Sequence, residues 1–377
     1  MQTSKKFRFD FAIIGAGISG ACSAYFLKKF GRVVVIDRGK IASGGSGAAG
    51  AFLSPKICSN SSYTAFINES FKFSIDFYRE NFSQFLDESG LLRLMKSKQD
   101  IDKCRLSEDM LPKNFRYLKP QEITTLKREA CEFGGYLFDD GALIDSVGVI
   151  SAMLKDIDVV ESLHVEVLEY KDGYYKIGDI SAKSVILCAG NAKDFPQIEY
   201  CMLKDIYGHR ADIKTKTKIP FHLHKSCSIS ASRDGVVHVG ATHIPNYKYG
   251  KDKNFDKELG DMLDLAKSYI DFDGFEVQKV HFGVRNSTRD FYPSIGRVID
   301  AKETLKKFPY IKKGSLVSKE RYDYYPNLFI HSGLGARGFV LAPKTAEILA
   351  NSICKEMQID KRLDTQRLFL KYARAML

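Results

Sequence analysis

The first residues whose types and spacing could do chemistry are Gly15-Ala16-Gly17-Ile18-Ser19-Gly20, together with Asp37, seventeen positions beyond the last glycine. Glycines so spaced suit a diphosphate. Gly15 makes a tight turn, Gly17 lets backbone N–H groups approach a pyrophosphate, and Gly20 lets a helix pack closely on a strand. A carboxylate closing the next strand accepts hydrogen bonds from ribose hydroxyls and disfavours a 2′-phosphate, the role read for Asp37, with Arg38 beside it. Glycine turns occur in many loops, so the surrounding elements decide whether this one binds anything.

Phe9 to Ile14 (FDFAII) reads as a short buried strand, Ala21 to Phe30 as a helix with one apolar face, and Arg32 to Ile36 (RVVVI) as a second buried strand. Together they form a βαβ unit that sets a dinucleotide phosphate on a helix N-terminus. NAD and FAD share this fingerprint.

The rest of the chain selects FAD. Ala42 to Ala51 is a run of small residues, with Ser46, Gly47 and Ala48 at its centre. Backbone there can lie against a flat ring or a diphosphate without side-chain obstruction, although the same composition would suit a flexible linker. Val159 to Tyr170 and Tyr174 to Ile180 read as strands, the first bringing the backbone at Val167 to an adenine. Ser184 to Leu187 is a strand closing on Cys188-Ala189-Gly190, with Ala189 and Gly190 beside the adenosine. Leu328 to His331 is a further strand, followed by Gly333-Leu334-Gly335-Ala336-Arg337-Gly338 and a helix from about Pro343 to Glu356. This second glycine turn at a helix N-terminus would stabilise negative charge on a reduced flavin.

With 377 residues, 44% of them hydrophobic and 27% charged, the chain is long and apolar enough to fold throughout as two or three domains. That excludes a small stapled scaffold and a disordered chain. No apolar run approaches the roughly 18 residues of a membrane span, and the polar opening leaves no room for a signal peptide, so the expected address is the cytoplasm, away from membranes. Eight cysteines without a CxxC pair imply neither a zinc site nor a disulfide framework, and they are expected to be reduced; no metal is expected. Ser61 to Leu94 carries phenylalanines at helical spacing and reads as one or two helices, and Asp360 to Leu377 reads as a terminal helix.

Four segments carry a resemblance. Ser46 to Lys56 (SGAAGAFLSPK), Val239 to Thr242 (VGAT), Phe282 to Asp290 (FGVRNSTRD) with Pro293 to Gly296, and Ser332 to Gly338 with Ala342-Pro343 follow in an order that resembles the D-amino-acid oxidase and glycine oxidase superfamily. The wording is most similar to the FAD-dependent oxidoreductase domain of the MnmC family of tRNA wobble-uridine enzymes, over about residues 8 to 355. The resemblance implies an α/β fold in which a discontinuous FAD-binding Rossmann-like domain (1–60, 140–203 and 322–377) carries a second α+β substrate domain built on an antiparallel sheet (61–139 and 204–321). Bifunctional members carry a methyltransferase domain before the flavin fold, which this chain opens on. The expectation is therefore a stand-alone oxidase whose product passes to a separate methyltransferase. Ala48 stands where the family often has Asn, and Gly208-His209 where it often has Gly-Gln.

The implied substrate is 5-carboxymethylaminomethyl-uridine, with or without 2-thiolation, at the wobble position in a tRNA anticodon loop. Chemically it is an N-substituted glycine. FAD would take a hydride from the carbon between nitrogen and carboxylate, and water would split the imine into an aminomethyl-uridine and glyoxylate. The carboxylate calls for a guanidinium, which offers a planar two-point bond. Arg285 is the first choice, set against the alternative that it merely pairs with Asp290. Arg289 and Arg337 are second candidates, while His209, His243 and His281 lie near the motifs without an assigned role.

The net charge of +11 fits attraction to a polyanion such as RNA or to an acidic membrane surface, although lysine-rich surfaces also arise without such a partner. Two stretches are locally basic: Lys204 to Lys218, and Lys302 to Arg321 with Phe308, Tyr310 and Tyr322 interleaved, where rings could stack an unpaired base. Two other readings share the fold: a small-molecule oxidase or dehydrogenase of glycine, sarcosine or a D-amino acid, and a non-catalytic FAD-containing RNA-binding protein.

Overall fold

The computed structural model describes residues 7–190, 195–245 and 255–376. The aromatic and apolar opening forms the strand Phe7–Ile14, parallel to Val33–Ile36 on one side and to Ile180–Leu187 on the other. Asp158–Val160 and Tyr324–Ser332 extend the parallel run at its two ends, and the whole sheet has eight strands. Such a sheet is buried on both faces. Phe11 and Ile13 meet a core shared with the helices Ile18–Leu27, Ser62–Phe82, Ser146–Leu154 and Gly338–Lys355. Ala12 and Ile14 meet a second core that includes Leu305, Phe308 and Phe369.

The last of those helices starts at Gly338, five residues before the expected start at Pro343, which lies inside it. A proline inside a helix leaves the carbonyl four residues earlier without its N–H donor. Here that carbonyl, of Phe339, accepts from the buried hydroxyl of Tyr78 at 3.0 Å, and Ser74 Oγ donates to the next carbonyl, of Val340, at 2.7 Å. The helix overruns its proline because a neighbouring helix supplies the missing donor to Phe339 and a further one to Val340.

The second sheet has nine strands. Its longest pairing is antiparallel, between Lys204–Lys214 and Glu276–Ser287. Val236–Gly240 lies on the other side of Lys204–Lys214, followed by Ser228–Ile229 and His222–His224. One joint is parallel, His222–His224 against Leu91–Leu94, and Gly135–Phe138 and Phe115–Leu118 complete the sheet.

Several expectations are corrected. The helical reading of 61–94 holds only for Ser62–Phe82; Leu86–Asp87 and Leu91–Leu94 are strands. Ser62–Phe82 packs on the nucleotide-side core rather than with the second sheet. Ser294–Ile299 pairs with Tyr324–Ser332 in the first sheet, and Leu305, Phe308 and Ile311 fill its core, so 294–321 do not belong to the second sheet. Cys58 and Cys104 are joined by a disulfide, contrary to the expectation of eight thiols; the loop at Cys58 and the helix Lys98–Arg105 approach to 4.0 Å between Cα atoms. No helix among the described residues is long and apolar enough to cross a membrane.

Removing the Tyr78 hydroxyl strands a buried carbonyl, so Tyr78→Phe is expected to lower unfolding free energy by about 1–3 kcal/mol. Urea unfolding checks this; an unchanged midpoint would show that the hydroxyl does not support the helix start.

Candidate active site

A cleft of about 630 Å³ opens at the C-terminal ends of the parallel strands and extends to the second sheet, the usual ligand position in such folds. Gly15 has φ +114°, and a Cβ there would lie 2.7 Å from the Cys188 carbonyl oxygen; at Gly20 it would overlap the Gly15 carbonyl. The strand, turn and helix therefore meet through backbone alone. Asp37 is pinned at the strand end, Oδ2 accepting from Ala16 N and Oδ1 from Gly39 N, each at 2.7 Å. Gly17, Ile18, Ser19, Asp37 and Arg38 line the cleft, while Ala16 and Gly20 act through the packing just described.

The small-residue run is built into the site and is no linker. Ala42 and Ala51 take left-handed φ values of 57° and 48°, and Ser46 Oγ accepts from Ile18 N at 3.0 Å. A Cβ at Gly45 would overlap the Val284 carbonyl oxygen, and one at Gly283 would lie 2.8 Å from Ala48 Cβ. The run thus touches the strand Glu276–Ser287 where side chains are absent. Arg210 crosses from the second sheet to donate to the Ala49 carbonyl at 2.5 Å. Its Nε lies 3.2 Å from Asp212, whose other contacts are His238 at 2.7 Å and His281 at 2.8 Å. Despite burial, these bonds hold the Asp212 carboxyl well below the usual carboxylate range. Ser46 and Ala48 line the cleft; Gly47 lies behind them, against the Ala42 carbonyl.

At the adenosine end, Ala189 and Gly190 line the cleft as expected. Val167 does not: it is 74% exposed, and the chain reaches the cleft through Leu163, His164 and Val165. The reason is that residues 161–168 form a loop rather than a strand, tied back by Ser162 N to the Gly39 carbonyl and Leu163 N to the Asp37 carbonyl.

Gly333, Leu334, Gly335, Ala336, Arg337 and Gly338 line the opposite end, where the helix N-terminus at Gly338 faces the cleft. Arg337 Nη1 donates to the Ser54 carbonyl at 2.9 Å, and burial pushes its pKa down to about 10. His331, on the strand before this turn, bonds Ser23 through Nδ1 and Thr345 through Nε2, each at 2.8 Å.

Arg285 sits on Glu276–Ser287 with its guanidinium lying over Gly208, where any Cβ would overlap it. Nη2 donates to the Thr242 carbonyl at 3.2 Å, and burial lowers its pKa. Among the described residues no carboxylate lies within ion-pair distance of it; Asp290, the alternative partner, is instead paired with Arg367 at 3.2 Å and Lys371 at 2.7 Å. Arg289 is exposed and outside the cleft. His209 is buried against the Thr242 hydroxyl at 2.9 Å and His281 belongs to the Asp212 cluster, whereas His243 does line the cleft. Sequence reasoning missed Arg93 and His224, both on the cleft wall.

The basic stretches fare unevenly. Phe308 and Tyr322 are each only 5% exposed in the core under the first sheet and cannot stack a base, which leaves Tyr310. Lys214, Lys216 and Lys218 line a separate hollow beside Asp273 and Glu276. No group of His, Cys, Asp and Glu among the described residues is arranged to hold a metal ion.

A parallel sheet with a phosphate turn at one end of a cleft, a second glycine turn at the other, and an arginine facing it from an antiparallel sheet define a dinucleotide-dependent redox enzyme. The family described as FAD dependent oxidoreductase (DAO) matches residues 10–352, and the chain belongs to it. FAD is the cofactor of this family, and the bare backbone at Gly15, Gly17, Gly44 and Gly45 on the cleft wall fits its diphosphate and flat ring. The tRNA 5-methylaminomethyl-2-thiouridine biosynthesis bifunctional protein MnmC of Legionella pneumophila (strain Philadelphia 1) is 27% identical over 368 residues, 92% of this chain and 54% of that protein. The protein of the same name from Pseudoalteromonas atlantica is 25% identical over 409 residues, 93% of this chain and 57% of that protein. The chain spans about half the length of these curated relatives. Among solved structures, glycine oxidase from Geobacillus kaustophilus matches with a TM-score of 0.74 at 17% identity, covering 94% of this chain and 96% of that one. Iminodiacetate oxidase from Chelativorans sp. BNC1 gives 0.69 at 18% identity, with 94% and 98% covered.

Gly45→Ala forces the loop off Val284, so the purified variant is expected to carry at least about tenfold less FAD, a loss of about 1.4 kcal/mol in binding; flavin absorbance per protein measures it, and full occupancy would contradict the role of this contact. Burial pushes His331 down to about 3 from the usual 6.5. The unfolded chain gains this proton as pH falls below about 6.5 and the folded chain does not, so stability is lost on acidification, by up to about 1.4 kcal/mol per pH unit, until about pH 3. In His331→Gln the slope of unfolding free energy against pH between about 4 and 6 is expected to shrink by up to one proton; an unchanged slope would count against it.

Proposed function

We propose that this chain removes the carboxymethyl group from 5-carboxymethylaminomethyl-(2-thio)uridine at the tRNA wobble position, releasing 5-aminomethyl-(2-thio)uridine and glyoxylate. The observation that carries the reading is Arg285: a half-buried guanidinium without an acidic partner among the described residues, facing a flavin-sized cleft through space that Gly208 leaves free. The names of the curated relatives support the tRNA substrate.

The substrate unit is R–NH–CH2–COO⁻. Arg285 binds the carboxylate by two parallel hydrogen bonds and so fixes the neighbouring methylene. When bound, FAD supplies the two-electron acceptor for oxidation of that carbon. The oxidised N=CH–COO⁻ unit then takes up one water; its oxygen becomes the aldehyde oxygen of glyoxylate, the C–N bond breaks, and the nitrogen leaves as the amine. Arg337 and the helix end at Gly338 present positive charge to the same cleft. The exposed Arg289 contributes no contact to this step. Methylation of the product amine falls to a methyltransferase activity, and the tRNA substrate carries a cytoplasmic address.

Undermodified tRNA incubated with the flavin-loaded protein is expected to yield one glyoxylate for each aminomethyl-uridine found by nucleoside mass spectrometry. Turnover of glycine or sarcosine with none on tRNA would replace this reading by the small-molecule one. Arg285→Ala is expected to keep FAD while slowing its reduction by substrate about 100-fold or more; reduction at the parent rate would refute the clamp.

A further inference from the structure

A group of cations gathers at the cleft, and of its members only Arg337 has been given a part in the chemistry above. Arg93 and His224 are cross-strand partners where Leu91–Leu94 runs beside His222–His224, and both line the cleft with Arg337. The bond from Arg337 to the Ser54 carbonyl brings its guanidinium beside the segment that carries Lys56. Lys56 is fixed by its backbone, which donates to Asn68 Oδ1 at 2.8 Å and accepts from Asn68 Nδ2 at 3.0 Å. Its ammonium lies 5.9 Å from the centre of the Tyr63 ring.

Among the described residues no carboxylate comes within ion-pair distance of Lys56, Arg93 or Arg337. Burial lowers the pKa of Lys56 and Arg337; the two arginines add to it at Lys56, Arg93 adds to it at Arg337 against an opposing effect of Tyr63, and both arginines add to the burial that holds His224 well below the usual histidine range. His224 Nε2 is buried without a hydrogen-bond partner. Asp100 acts on Arg93 only from beyond contact distance, and like charges gathered without a counter-charge in contact are costly unless an anion joins them.

The outer end of the group is aromatic. The Tyr63 ring lies 5.1 Å from Tyr292 and 6.4 Å from Phe291, and Phe291 is 61% exposed, an unusual cost for a large apolar ring. Asp290, the acid next to it, is committed to Arg367 and Lys371. Cations with no carboxylate in contact, beside an exposed ring, are the two elements that hold a single-stranded nucleotide, one for a phosphate and one for a base face.

We propose that Lys56, Arg93 and Arg337, with the Tyr63–Phe291 ring pair at their outer end, form a nucleotide subsite for the RNA strand next to the modified uridine. The cations take a backbone phosphate and Phe291 stacks the adjacent base. This rests on the tRNA reading and replaces the Phe308 and Tyr322 side chains as the aromatic part of the RNA surface.

The test measures binding of the flavin-loaded protein to a fluorescent anticodon stem-loop RNA with an unmodified wobble uridine, over a salt series, for the parent and for Lys56→Ala, Phe291→Ala and Phe291→Tyr. FAD content and melting temperature serve as controls for folding, and N-ethylglycine binding is followed by flavin absorbance. Each alanine variant is expected to bind RNA at least about tenfold more weakly, as loss of one stacked base or one phosphate contact would give. Lys56→Ala should also flatten the slope of log K against log salt by about 0.7. Phe291→Tyr should restore binding, and N-ethylglycine binding should not change. Parent-like RNA binding by both alanine variants overturns the subsite and leaves the tRNA oxidase reading standing. Parallel weakening of N-ethylglycine binding also overturns it, because the cations then hold the glycine carboxylate. A parent protein that does not bind the RNA at low salt removes the tRNA reading itself.

Discussion

The contact on which the rest of the molecule depends is the one between Gly45 and the Val284 carbonyl. A diphosphate and a flat ring need a wall without side chains, and the same bareness lets a loop of the first sheet rest directly on a strand of the second. Gly283 against Ala48 repeats the arrangement one residue away. The cleft exists because two sheets meet through backbone along one side. Arg285 follows Val284 in the chain, so the contact that closes the wall also sets where that guanidinium stands.

Charge is divided in keeping with this geometry. Where the second sheet must be tied to the small-residue loop, the buried carboxylate of Asp212 is shared by Arg210, His238 and His281, and Arg210 passes the tie on to the Ala49 carbonyl. Where a ligand enters, the pattern reverses: Arg285, Arg337, Arg93 and Lys56 stand without acids among the described residues. Apart from Asp37 at the nucleotide end, acids serve the frame, while Arg93, Arg285 and Arg337 line the cleft. The net charge of the chain, which alone says nothing about location, is thereby given a direction.

The βαβ unit, the terminal glycine turn and the arginine of the FGVRNSTRD segment were legible because each couples a local element to a residue type that the element needs. Short-range patterns carried those readings. What was not legible depended on contacts between distant segments. Val167 and Val165 alternate like a strand, yet hydrogen bonds to Asp37 and Gly39 turn their segment into a loop and bring Val165 to the cleft. Arg93 sits in an apolar stretch, and only the parallel joint with His222–His224 brings it to the cleft. Cys58 and Cys104 are 46 residues apart, and nothing in their spacing announces a pair. Phe308 and Tyr322 lie among lysines, which suggests a surface, but they supply the apolar contacts that the underside of the first sheet requires.

The hydroxyl of Tyr78 and the proline at position 343 form a matched pair. Because one helix completes the other's hydrogen bonding, the two segments form a single heritable unit although more than 260 positions separate them. A chimera that took Ser62–Phe82 from a homologue with phenylalanine in that place, and kept this chain's final helix, would inherit the ring break without its remedy. The helix start that presents positive potential to the cleft would then lose a support through an exchange made in a neighbouring helix.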